Sequence, residues 1–486
     1  MSIESIIDKF LSNIPEIYDV NGVLITEDRF LSEYHSLKRY LLCNFEDDSI
    51  LALQFEKDYR YVLSILVCME IGLTYVPLHI DFPENRINQI KQISGFDELL
   101  NYDSFEEIMR NESKGSPKKS FSINKKKILY IMFTSGSTGE PKGVEIKRES
   151  YLNFLYWLDS YFDVNENDTI LNTTEFTFDV SLVDIGLLIV KQAKMIFSGF
   201  QDDLFRLVSE IESYKITTIA TVPNNFSMIL VDELIDRIDL SSLKYALIAG
   251  SKFPLSLHEK FNKYLKGLQV YNCFGPTEFT IYCLAKKLNI SDSDISKNTV
   301  SIGKAILNTK FKIIDDELNE VSQGENGELV VSGIQLMKGY KNNPIKTDEA
   351  ILEIGNELYY RTGDVAFFDV NGNCYIVGRK DDTIKVSGFR VNLSDVDSYI
   401  HKFEYVKDSV TICIEYEDKP NFLVSFIALD KTSPINITKI RKDLKLHLPS
   451  FQIPKYIEMI KEFPVNHSGK VCKKTLKNEF LKKYGL

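Results

Sequence analysis

The sequence TSGSTGEPKGV, which runs from Thr134 to Val144, decides how the rest of the chain is interpreted. It directly follows the apolar run Ile128 to Phe133, which predicts a buried strand. Its glycines permit close backbone approach to a ligand, and its amide and hydroxyl groups can converge on anionic oxygens. Lys142 adds a positive charge. The pattern predicts a loop that wraps a polyphosphate, with a flexible Gly/Ser surface loop as the alternative.

This loop is not the nucleotide loop of P-loop NTPases. That loop needs Gly-Lys followed at once by Ser or Thr at a helix N-terminus, whereas Gly143 follows Lys142 here. A different class of nucleotide-binding protein is therefore indicated.

Length and composition indicate a globular protein built from several packed units. The chain has 486 residues, of which 44% are hydrophobic and 26% are charged, and its net charge of −11 gives no support to nucleic-acid binding. The seven cysteines form no Cys-x-x-Cys pair, so neither a disulfide framework nor a zinc site is indicated. No apolar run approaches the roughly twenty residues that span a bilayer. We expect a soluble, cytoplasmic protein with no membrane or nucleic-acid partner.

Alternating strand and helix patterns predict parallel sheets in the first part of the chain. The helical stretch Tyr59 to Glu70 lies between strand-like stretches at Ser49 to Phe55 and Tyr75 to Leu78. Three further strands are predicted at Ile216 to Val222, Tyr245 to Ala249 and Gln269 to Phe274. Ligands of such sheets bind beyond the carboxyl ends of the strands.

The pattern changes after residue 300. Closely spaced strands run from Val300 to Val377, with Asn371 and Gly372 as a hairpin signal. Helical stretches follow at Ser394 to Phe403 and Ile437 to Leu448. We predict an α/β fold in which a large N-terminal domain, residues 1–380, combines packed αβ subdomains with a β-rich subdomain and is hinged to a small C-terminal α+β domain, residues 381–486.

Three further motifs occur after the phosphate loop. They are YNCFGPTEFT from Tyr271, YRTGDVAFFDVNGNCYIVGRKDD from Tyr360 and FPVNHSGK ending at Lys470. Together with the loop at Thr134, they resemble the motifs of adenylate-forming enzymes, the family of acyl-CoA synthetases, luciferases and peptide-synthetase adenylation domains. The resemblance begins at YVPLHIDFPENRI, from Tyr75, and covers nearly the whole chain.

The resemblance implies ATP and Mg²⁺ as cofactors. Phe274 would stack on adenine, and Asn272 would contact the edge of that base. Thr277 would reach the α-phosphate, and Glu278 would hold Mg²⁺, an ion that prefers carboxylate and phosphate oxygens and keeps several waters. The residues expected to bind ATP are Thr134, Ser135, Gly136, Ser137, Thr138, Gly139, Lys142, Gly250, Ser251, Asn272, Phe274, Gly275, Asp364, Tyr375 and Arg379.

The resemblance also assigns roles to the later motifs. Asp364 and Arg379 would bind the ribose. The alternative is that both are ordinary surface residues. Lys470 would be a catalytic residue together with Thr277 and Glu278, bridging the substrate carboxylate and the α-phosphate. Asp381 would be the hinge between two half-reactions. The family usually carries Glu shortly after Arg390, where this chain has Asn392, which leaves the contacts of the second half-reaction open.

The motif TEFTFDVSLVDIG, from Thr174 to Gly186, indicates the substrate class. In amino-acid-activating members, the acid at the position of Asp179 binds the α-ammonium group, and a carboxylate in a buried pocket favours such a cationic ligand. The alternative is a helix N-cap aspartate. The pocket positions carried over from the family are Asp179, Val180, Val183, Thr221, Leu247, Ala249, Cys273, Ile281, Tyr282 and Lys470.

These pocket positions favour a neutral substrate side chain, apolar or aromatic. Apart from the two charges that hold the ends of the substrate, none is ionised, so a charged side chain would find no counter-ion. Between a branched aliphatic and an aromatic side chain the larger is slightly favoured, because Val183 and Ala249 leave depth. Tyr282 could close that depth.

The resemblance predicts a stand-alone amino-acid adenylation enzyme, similar to peptide-synthetase adenylation domains and D-alanine:carrier-protein ligases. Few residues follow Lys470, so the phosphopantetheine thiol that receives the acyl group is expected on a separate carrier protein. Two alternatives stay open. One is an acyl- or aryl-CoA synthetase that uses free CoA, and the other is a non-catalytic nucleotide-binding protein.

Overall fold

A computed structural model gives the structure of the chain. It describes residues 2–111, 123–134, 141–199, 203–231, 235–289, 295–296, 299–380, 383–386, 389–403, 405–415, 421–429, 437–464 and 471–486. Across these ranges, no helix combines the length and the apolar character needed to cross a bilayer.

The helices begin and end at the following residues. They are α1 (Ile3–Leu11), α2 (Glu27–Asn44), α3 (Tyr59–Ile71), α4 (Glu84–Ser94), α5 (Tyr102–Arg110), α6 (Arg148–Tyr161), α7 (Ser181–Lys191), α8 (Leu204–Ser213), α9 (Pro223–Ile229), α10 (Leu255–Tyr264), α11 (Pro344–Ala350), α12 (Leu393–Ile400), α13 (Ile437–Lys445) and α14 (Lys473–Tyr484). Short 3₁₀ turns lie at Thr277–Phe279 and Ser450–Gln452.

The strands divide into sheets that are described below. In chain order they are β1 (Ile17–Tyr18), β2 (Leu24–Ile25), β3 (Ile50–Gln54), β4 (Thr74–Pro77), β5 (Glu98–Asn101), β6 (Ile128–Thr134), β7 (Lys142–Lys147), β8 (Thr169–Asn172), β9 (Lys194–Phe197), β10 (Thr218–Thr221), β11 (Tyr245–Ile248), β12 (Gln269–Phe274), β13 (Leu284–Lys287), β14 (Ile295–Ser296), β15 (Thr299–Val300), β16 (Lys304–Ala305), β17 (Thr309–Ile314), β18 (Gly327–Gly333), β19 (Gly339–Tyr340), β20 (Ile351–Ile354), β21 (Glu357–Phe368), β22 (Cys374–Arg379), β23 (Thr383–Val386), β24 (Phe389–Asn392), β25 (Val406–Ile414), β26 (Phe422–Leu429) and β27 (Tyr456–Met459).

The largest sheet has nine strands within the described residues, in the order β16-β13-β12-β11-β10-β8-β9-β1-β2. Its centre, from β12 to β9, is parallel, which sets the carboxyl ends of these strands along one edge. Helix α7 packs beside it, and nine of its eleven residues are buried, from Ser181 to Ile189. Burial on both faces explains why β8, β10 and β11 read as continuous apolar or β-branched runs.

A second sheet places the phosphate loop. The described strands follow the order β19-β7-β6-β4-β3-β5, so β6 and β7, which flank that loop, are neighbours. The buried helix α3 covers this sheet. Asp58 caps its N-terminus by accepting from the Arg60 amide, and Gly72 ends it with a φ of 78°.

Among the residues that the structure describes, the β-rich part contains a five-stranded antiparallel sheet, in which β22 pairs with β21. The predicted hairpin at Asn371 and Gly372 is confirmed, because β21 and β22 are joined there with Phe368 opposite Cys374. Gly372 takes a φ of 76°, a conformation that favours glycine.

The chain divides into two compact units. The first comprises Met1–Ile80, Lys91–Phe133 and Gly143–Lys380, and the second comprises Asp81–Ile90, Thr134–Lys142 and Asp381–Leu486. In the second unit, β25, β26 and β27 form a sheet, and the side chains of α12 and α13 contribute to a separate apolar core. The predicted mixed α/β fold class is confirmed.

The element boundaries differ from the predicted ones by a few residues. The strand predicted from Ile216 begins at Thr218, and the helix predicted to reach Phe403 ends at Ile400. Strand β12 has the predicted bounds.

Candidate active site

The site is built on the carboxyl ends of three parallel strands. Thr221 ends β10, Ala249 follows β11, and Cys273 lies near the end of β12. The Ala249 amide donates to the Thr221 carbonyl at 3.1 Å, which extends the pairing of these strands by one residue. Gly250 follows with a φ of 85°, so the chain turns sharply away from the sheet edge. Three predicted pocket residues therefore lie side by side.

Asp179 lies in the turn between β8 and α7 and is 7% exposed. The Leu182 amide donates to the Asp179 carbonyl at 2.9 Å. Helix α7 takes Val180 as its N-cap, with no side-chain cap hydrogen bond, so the structure does not assign the N-cap position to Asp179. Its carboxylate adds to the effect of burial in raising the pKa of Tyr130 and of Tyr282, which places both phenols close to it.

The segment from Thr280 to Tyr282 forms one wall of the site, and its backbone is unusual. Thr280 has a φ of 55° and Ile281 has a φ of 69°, the left-handed region that non-glycine residues seldom adopt. Ile281 is β-branched, so this conformation stores strain that the surroundings must hold. A Cβ on Gly275 would lie 2.1 Å from the Ile281 carbonyl oxygen, which explains the glycine.

The side chain of Gln335 holds this segment in place. Its Nε2 donates to the carbonyls of Thr280 and Tyr282, both at 2.9 Å, and to that of Phe279 at 3.2 Å. Thr280 Oγ1 donates to the Gln335 carbonyl at 2.7 Å, and Asn153 Nδ2 donates to Gln335 Oε1 at 2.9 Å. Gln335 has no exposed surface, so water does not compete for these bonds. Sequence analysis missed this residue.

Glu278 lies in the 3₁₀ turn Thr277–Phe279 and is 1% exposed. Tyr340 Oη donates to Glu278 Oε1 at 2.8 Å, and the Met337 amide donates to the Glu278 carbonyl at 2.9 Å. The strand β19 therefore orients this carboxylate. Among the described residues, no group of three or more His, Cys, Asp or Glu side chains could hold a metal ion. A single oriented carboxylate fits Mg²⁺, which takes its remaining ligands from phosphate oxygens and water.

The expected adenine-binding residues lie on β12. Asn272 is 2% exposed, and its Nδ2 donates to the Ser301 carbonyl at 2.8 Å. Phe274, at the end of the strand, is half-buried. Thr277 and Ser251 are also half-buried. Phe274 and Thr277 therefore lie at the carboxyl end of β12, and Ser251 follows the neighbouring strand β11.

The expected ribose-binding pair is in direct contact. Asp364 and Arg379 face each other in the register of β21 and β22, and Arg379 Nη1 donates to Asp364 Oδ1 at 2.9 Å. Tyr375, expected at the ATP site, lies further along the hairpin. Its ring stacks on Phe367 with centroids 4.9 Å apart, it is 1% exposed, and its hydroxyl donates to Asp369 at 3.1 Å. The structure therefore does not bring Tyr375 to an open surface.

Part of the expected site lies outside the described residues. These residues are Ser135, Gly136, Ser137, Thr138, Gly139, Asp381 and Lys470. Thr134 ends β6 and Lys142 begins β7, so the ends of the phosphate loop are described. A Cβ on Gly143 would lie 2.9 Å from Ile131 Cγ2 and 3.0 Å from the Phe133 ring, so this glycine lets β7 pack closely on β6.

A buried lysine contacts the segment that follows β8. Lys57 Nζ donates to the Thr173 carbonyl at 3.2 Å and lies 3.6 Å from the Glu175 carboxylate. Burial lowers the pKa of Lys57, and the charge of Glu175 opposes that effect. Thr173 Oγ1 donates to Thr221 Oγ1 at 3.3 Å, so the lysine is linked to the pocket through one threonine. Sequence reasoning also missed Lys57.

Asp184 is a second buried acid, one helical turn after Asp179. It has no exposed surface and accepts a hydrogen bond from Asn172 Nδ2 at 2.8 Å. Burial raises the pKa of Asp184 to about 8, while the Asn172 hydrogen bond and the charge of Lys57 act in the opposite direction. The side chain is therefore largely protonated at neutral pH. The sequence-based list of pocket residues did not contain it.

Comparison with known proteins identifies a family. The model of the family described as AMP-binding enzyme matches residues 26–341. The D-alanine--D-alanyl carrier protein ligase of Bacillus licheniformis is 28% identical over 438 residues, which cover 86% of this chain and 86% of that protein. Bacitracin synthase 3 of Bacillus licheniformis is 28% identical over 445 residues, which cover 88% of this chain but 7% of the synthase.

Solved structures share the fold. A double mutant of o-succinylbenzoate CoA synthetase from Bacillus subtilis superposes with a TM-score of 0.84 and covers 98% of each chain. Its identity to this chain is 19%, so this likeness concerns the fold alone.

Proposed function

Because the chain belongs to the AMP-binding enzyme family, and is thus an adenylate-forming ligase that uses ATP, we propose that it activates an amino acid. The resemblance of its motifs to adenylate-forming enzymes is confirmed. The substrate would be an α-amino acid with a neutral side chain, apolar or aromatic. The products would be aminoacyl-AMP and pyrophosphate, and the acyl group would then pass to the phosphopantetheine thiol of a separate carrier protein.

The position of Asp179 carries this proposal. Asp179 is 7% exposed, it lies in the turn that follows β8 at the carboxyl edge of the parallel sheet, and the phenols of Tyr130 and Tyr282 are near it. A charge in such surroundings interacts strongly with an opposite charge, so the site favours a ligand with an ammonium group over the same acid without one. Fatty and aryl acids offer no such group.

The nucleotide would be held by the residues around β12 and the β21–β22 hairpin. Asp364 would accept hydrogen bonds from the ribose hydroxyls, with Arg379 fixing its carboxylate by the ion pair of 2.9 Å. Glu278, oriented by Tyr340, would hold Mg²⁺, which would neutralise charge on the phosphates. Thr134 and Lys142 would contribute to phosphate binding from the two ends of the loop.

The chemistry consists of two displacements. First, an oxygen of the substrate carboxylate attacks the α-phosphorus, and the bond to pyrophosphate breaks. Lys470 would stabilise the charge that develops in this step. Second, the thiolate attacks the acyl carbon, a thioester forms, and AMP leaves with the electron pair of the broken C–O bond. Asp381 would act as the hinge between the two steps.

One relative supports a carrier protein as the acceptor of the acyl group. The D-alanine--D-alanyl carrier protein ligase matches over most of both chains, and its name includes a carrier protein. The shared fold of a CoA synthetase does not distinguish a carrier thiol from free CoA. The acceptor therefore has to be measured separately from the activated acid.

The test is ATP–pyrophosphate exchange with the twenty amino acids, D-alanine, β-alanine, benzoate and hexanoate. We expect exchange with at least one amino acid and none with benzoate or hexanoate. Thioester formation is then compared between a holo-carrier protein and CoA, with mass detection of the acylated product. Exchange driven by benzoate or hexanoate, or acylation of CoA alone, would establish the CoA-synthetase alternative. Nucleotide binding without any exchange would establish the non-catalytic one.

A further inference from the structure

We infer that the substrate side chain is small, in the class of glycine, alanine and serine, because Tyr282 closes the side-chain end of the pocket. The inference rests on the proposed function and narrows it. It opposes the larger side chain that the sequence slightly favoured, since the depth expected beside Val183 and Ala249 is filled in the structure.

The first support is the burial of the pocket lining. A pocket with room for a large side chain would expose surface on the residues around it, even without a ligand. Seven of the ten predicted lining residues are at most 4% exposed: Val183 0%, Thr221 3%, Leu247 0%, Ala249 3%, Cys273 4%, Ile281 1% and Tyr282 1%. Asp179 is 7% exposed, Val180 is half-buried, and Lys470 lies outside the described residues. An aromatic substrate would bury roughly 150–250 Å² against such a lining. That surface is already covered by the protein itself.

The second support is the packing of the Tyr282 ring. The ring meets Phe154 edge-on with centroids 5.9 Å apart, and it meets Trp157 at 6.5 Å and an angle of 89°. Both partners lie on α6, whose residues from Tyr151 to Leu155 are buried. The ring is thus held on its far side by a helix and cannot retreat without displacing large side chains.

The third support is the backbone that carries Tyr282. The left-handed conformations of Thr280 and Ile281 are fixed by the side chain of Gln335, which binds the carbonyls on both sides of Ile281. A mobile loop could move its tyrosine aside for a larger substrate. A strained segment held by three donor contacts from one buried amide keeps a single position. Gln335 is therefore a positioning residue for Tyr282.

The phenol of Tyr282 lies near residues of the predicted pocket. Burial raises the pKa of Tyr282 well above its usual range, and the nearby Cys273, Asp184 and Asp179 raise it further. Cys273 and Asp179 are predicted pocket residues, so the phenol is close to the predicted pocket. Within the described residues, Tyr282 Oη has no hydrogen-bond partner. The burial of Tyr282 and its packing against Phe154 and Trp157 support our inference that this ring fills the space a larger substrate would need.

The experiment measures kcat/KM in ATP–pyrophosphate exchange for glycine, alanine, serine, valine, leucine and phenylalanine. One methylene more than a pocket accepts costs roughly 10- to 200-fold in kcat/KM. We expect wild type to prefer one of the three small amino acids over leucine and phenylalanine by roughly 100-fold or more. Tyr282→Ala should raise the value for phenylalanine relative to alanine by roughly 10-fold or more, because it vacates the volume of a ring.

Two control variants separate the ring from other effects. Tyr282→Phe keeps the ring and should keep the wild-type order of preference. Tyr271→Ala removes an equally buried ring, 1% exposed, whose hydroxyl donates to Gln269, and should leave that order unchanged.

Each outcome decides the inference. A wild-type preference for leucine or phenylalanine overturns it and leaves the proposed function standing. A folded Tyr282→Ala enzyme with the wild-type order overturns it as well. If this variant does not fold, the wild-type series alone decides. Absence of exchange with every amino acid overturns the proposed function, and this inference falls with it.

Discussion

Replacing Gln335 by alanine should weaken the first unit of the chain more than the loss of an ordinary buried glutamine. Its amide nitrogen donates to the carbonyls of Thr280 and Tyr282 at 2.9 Å, and its oxygen accepts from Asn153 at 2.9 Å. Asn153 keeps a second acceptor, the Leu307 carbonyl at 2.8 Å, so it loses little. The carbonyls of Thr280, Tyr282 and, at 3.2 Å, Phe279 share the two N–H groups of this amide, so the substitution removes two donors.

The magnitude follows from these contacts. Leaving a buried acceptor unpaired costs roughly 1–3 kcal/mol, so two carbonyls give about 2–6 kcal/mol before any relaxation. The left-handed Ile281 can relax once the amide is gone, which returns part of the strain. We expect a decrease of about 3 kcal/mol in the free energy of unfolding, at the lower side of that range.

The assay uses the single tryptophan of the chain. Trp157 lies on α6 beside Tyr282, so its fluorescence during urea unfolding reports on the unit that carries the pocket. Gln54→Ala is the matched control, because Gln54 is also buried but its Nε2 makes one hydrogen bond, to the His79 carbonyl at 3.0 Å. We expect the control to cost about 1 kcal/mol. Equal effects of the two substitutions would refute the role of Gln335 in holding the segment from Thr280 to Tyr282.

Three further predictions concern other parts of the site. The folded pKa of Asp184, about 8, lies above the unfolded value, so its protonated form stabilises the fold fully below pH ~4 and that contribution is lost as pH rises through 8. Asp184→Asn should remove a decline of about 1.4 kcal/mol per pH unit in the free energy of unfolding, measured by urea denaturation between pH 4.5 and 8. Tyr340→Phe frees the Glu278 carboxylate and should lower kcat of exchange by roughly 10-fold and raise the Mg²⁺ requirement, and an unchanged Mg²⁺ dependence would contradict this role. Gly143→Ala places a Cβ 2.9 Å from Ile131 and should lower stability by roughly 1–3 kcal/mol, and an unchanged urea midpoint would show that the two strands have room.

Local sequence signals predicted the elements that position the site. Apolar and β-branched runs between turn residues gave β10, β11 and β12, and the Asn371 and Gly372 pair gave the hairpin between β21 and β22. Parallel strands then brought Thr221, Ala249 and Cys273 to one edge. These features depend on residues that are close in sequence.

The contacts that orient the site could not be predicted in this way. Gln335 binds carbonyls more than fifty positions earlier in the chain, and Tyr340 reaches Glu278 over 62 positions. Neither residue lies in a motif, and both act through packing between distant segments. The burial of Tyr375 differs from these contacts, because it follows from local sequence. Side chains alternate along β22, so Tyr375 and Ile376 lie on opposite faces of the strand. That alternation is visible in the sequence itself.

The difference between the substrate size favoured by the sequence and the smaller one that we infer has a similar cause. The residue types at the pocket positions predict a pocket lining without charge. The depth of that pocket depends on how the Tyr282 ring packs against Phe154 and Trp157 of α6. Volume in a pocket is set by rotamers and by the backbone behind them. A list of lining residues does not contain that information.

The pairing of Asp179 with a substrate ammonium is tested most directly by comparing alanine with propionate, the same acid without its amino group. In ATP–pyrophosphate exchange, wild type should use alanine and show no exchange above background with propionate. Asp179→Asn should lower kcat/KM for alanine by roughly 30- to 4,000-fold, the loss expected for one partner of a buried charge pair, with ATP binding retained. Equal use of both acids by wild type, or full alanine activity in Asp179→Asn, would contradict the account.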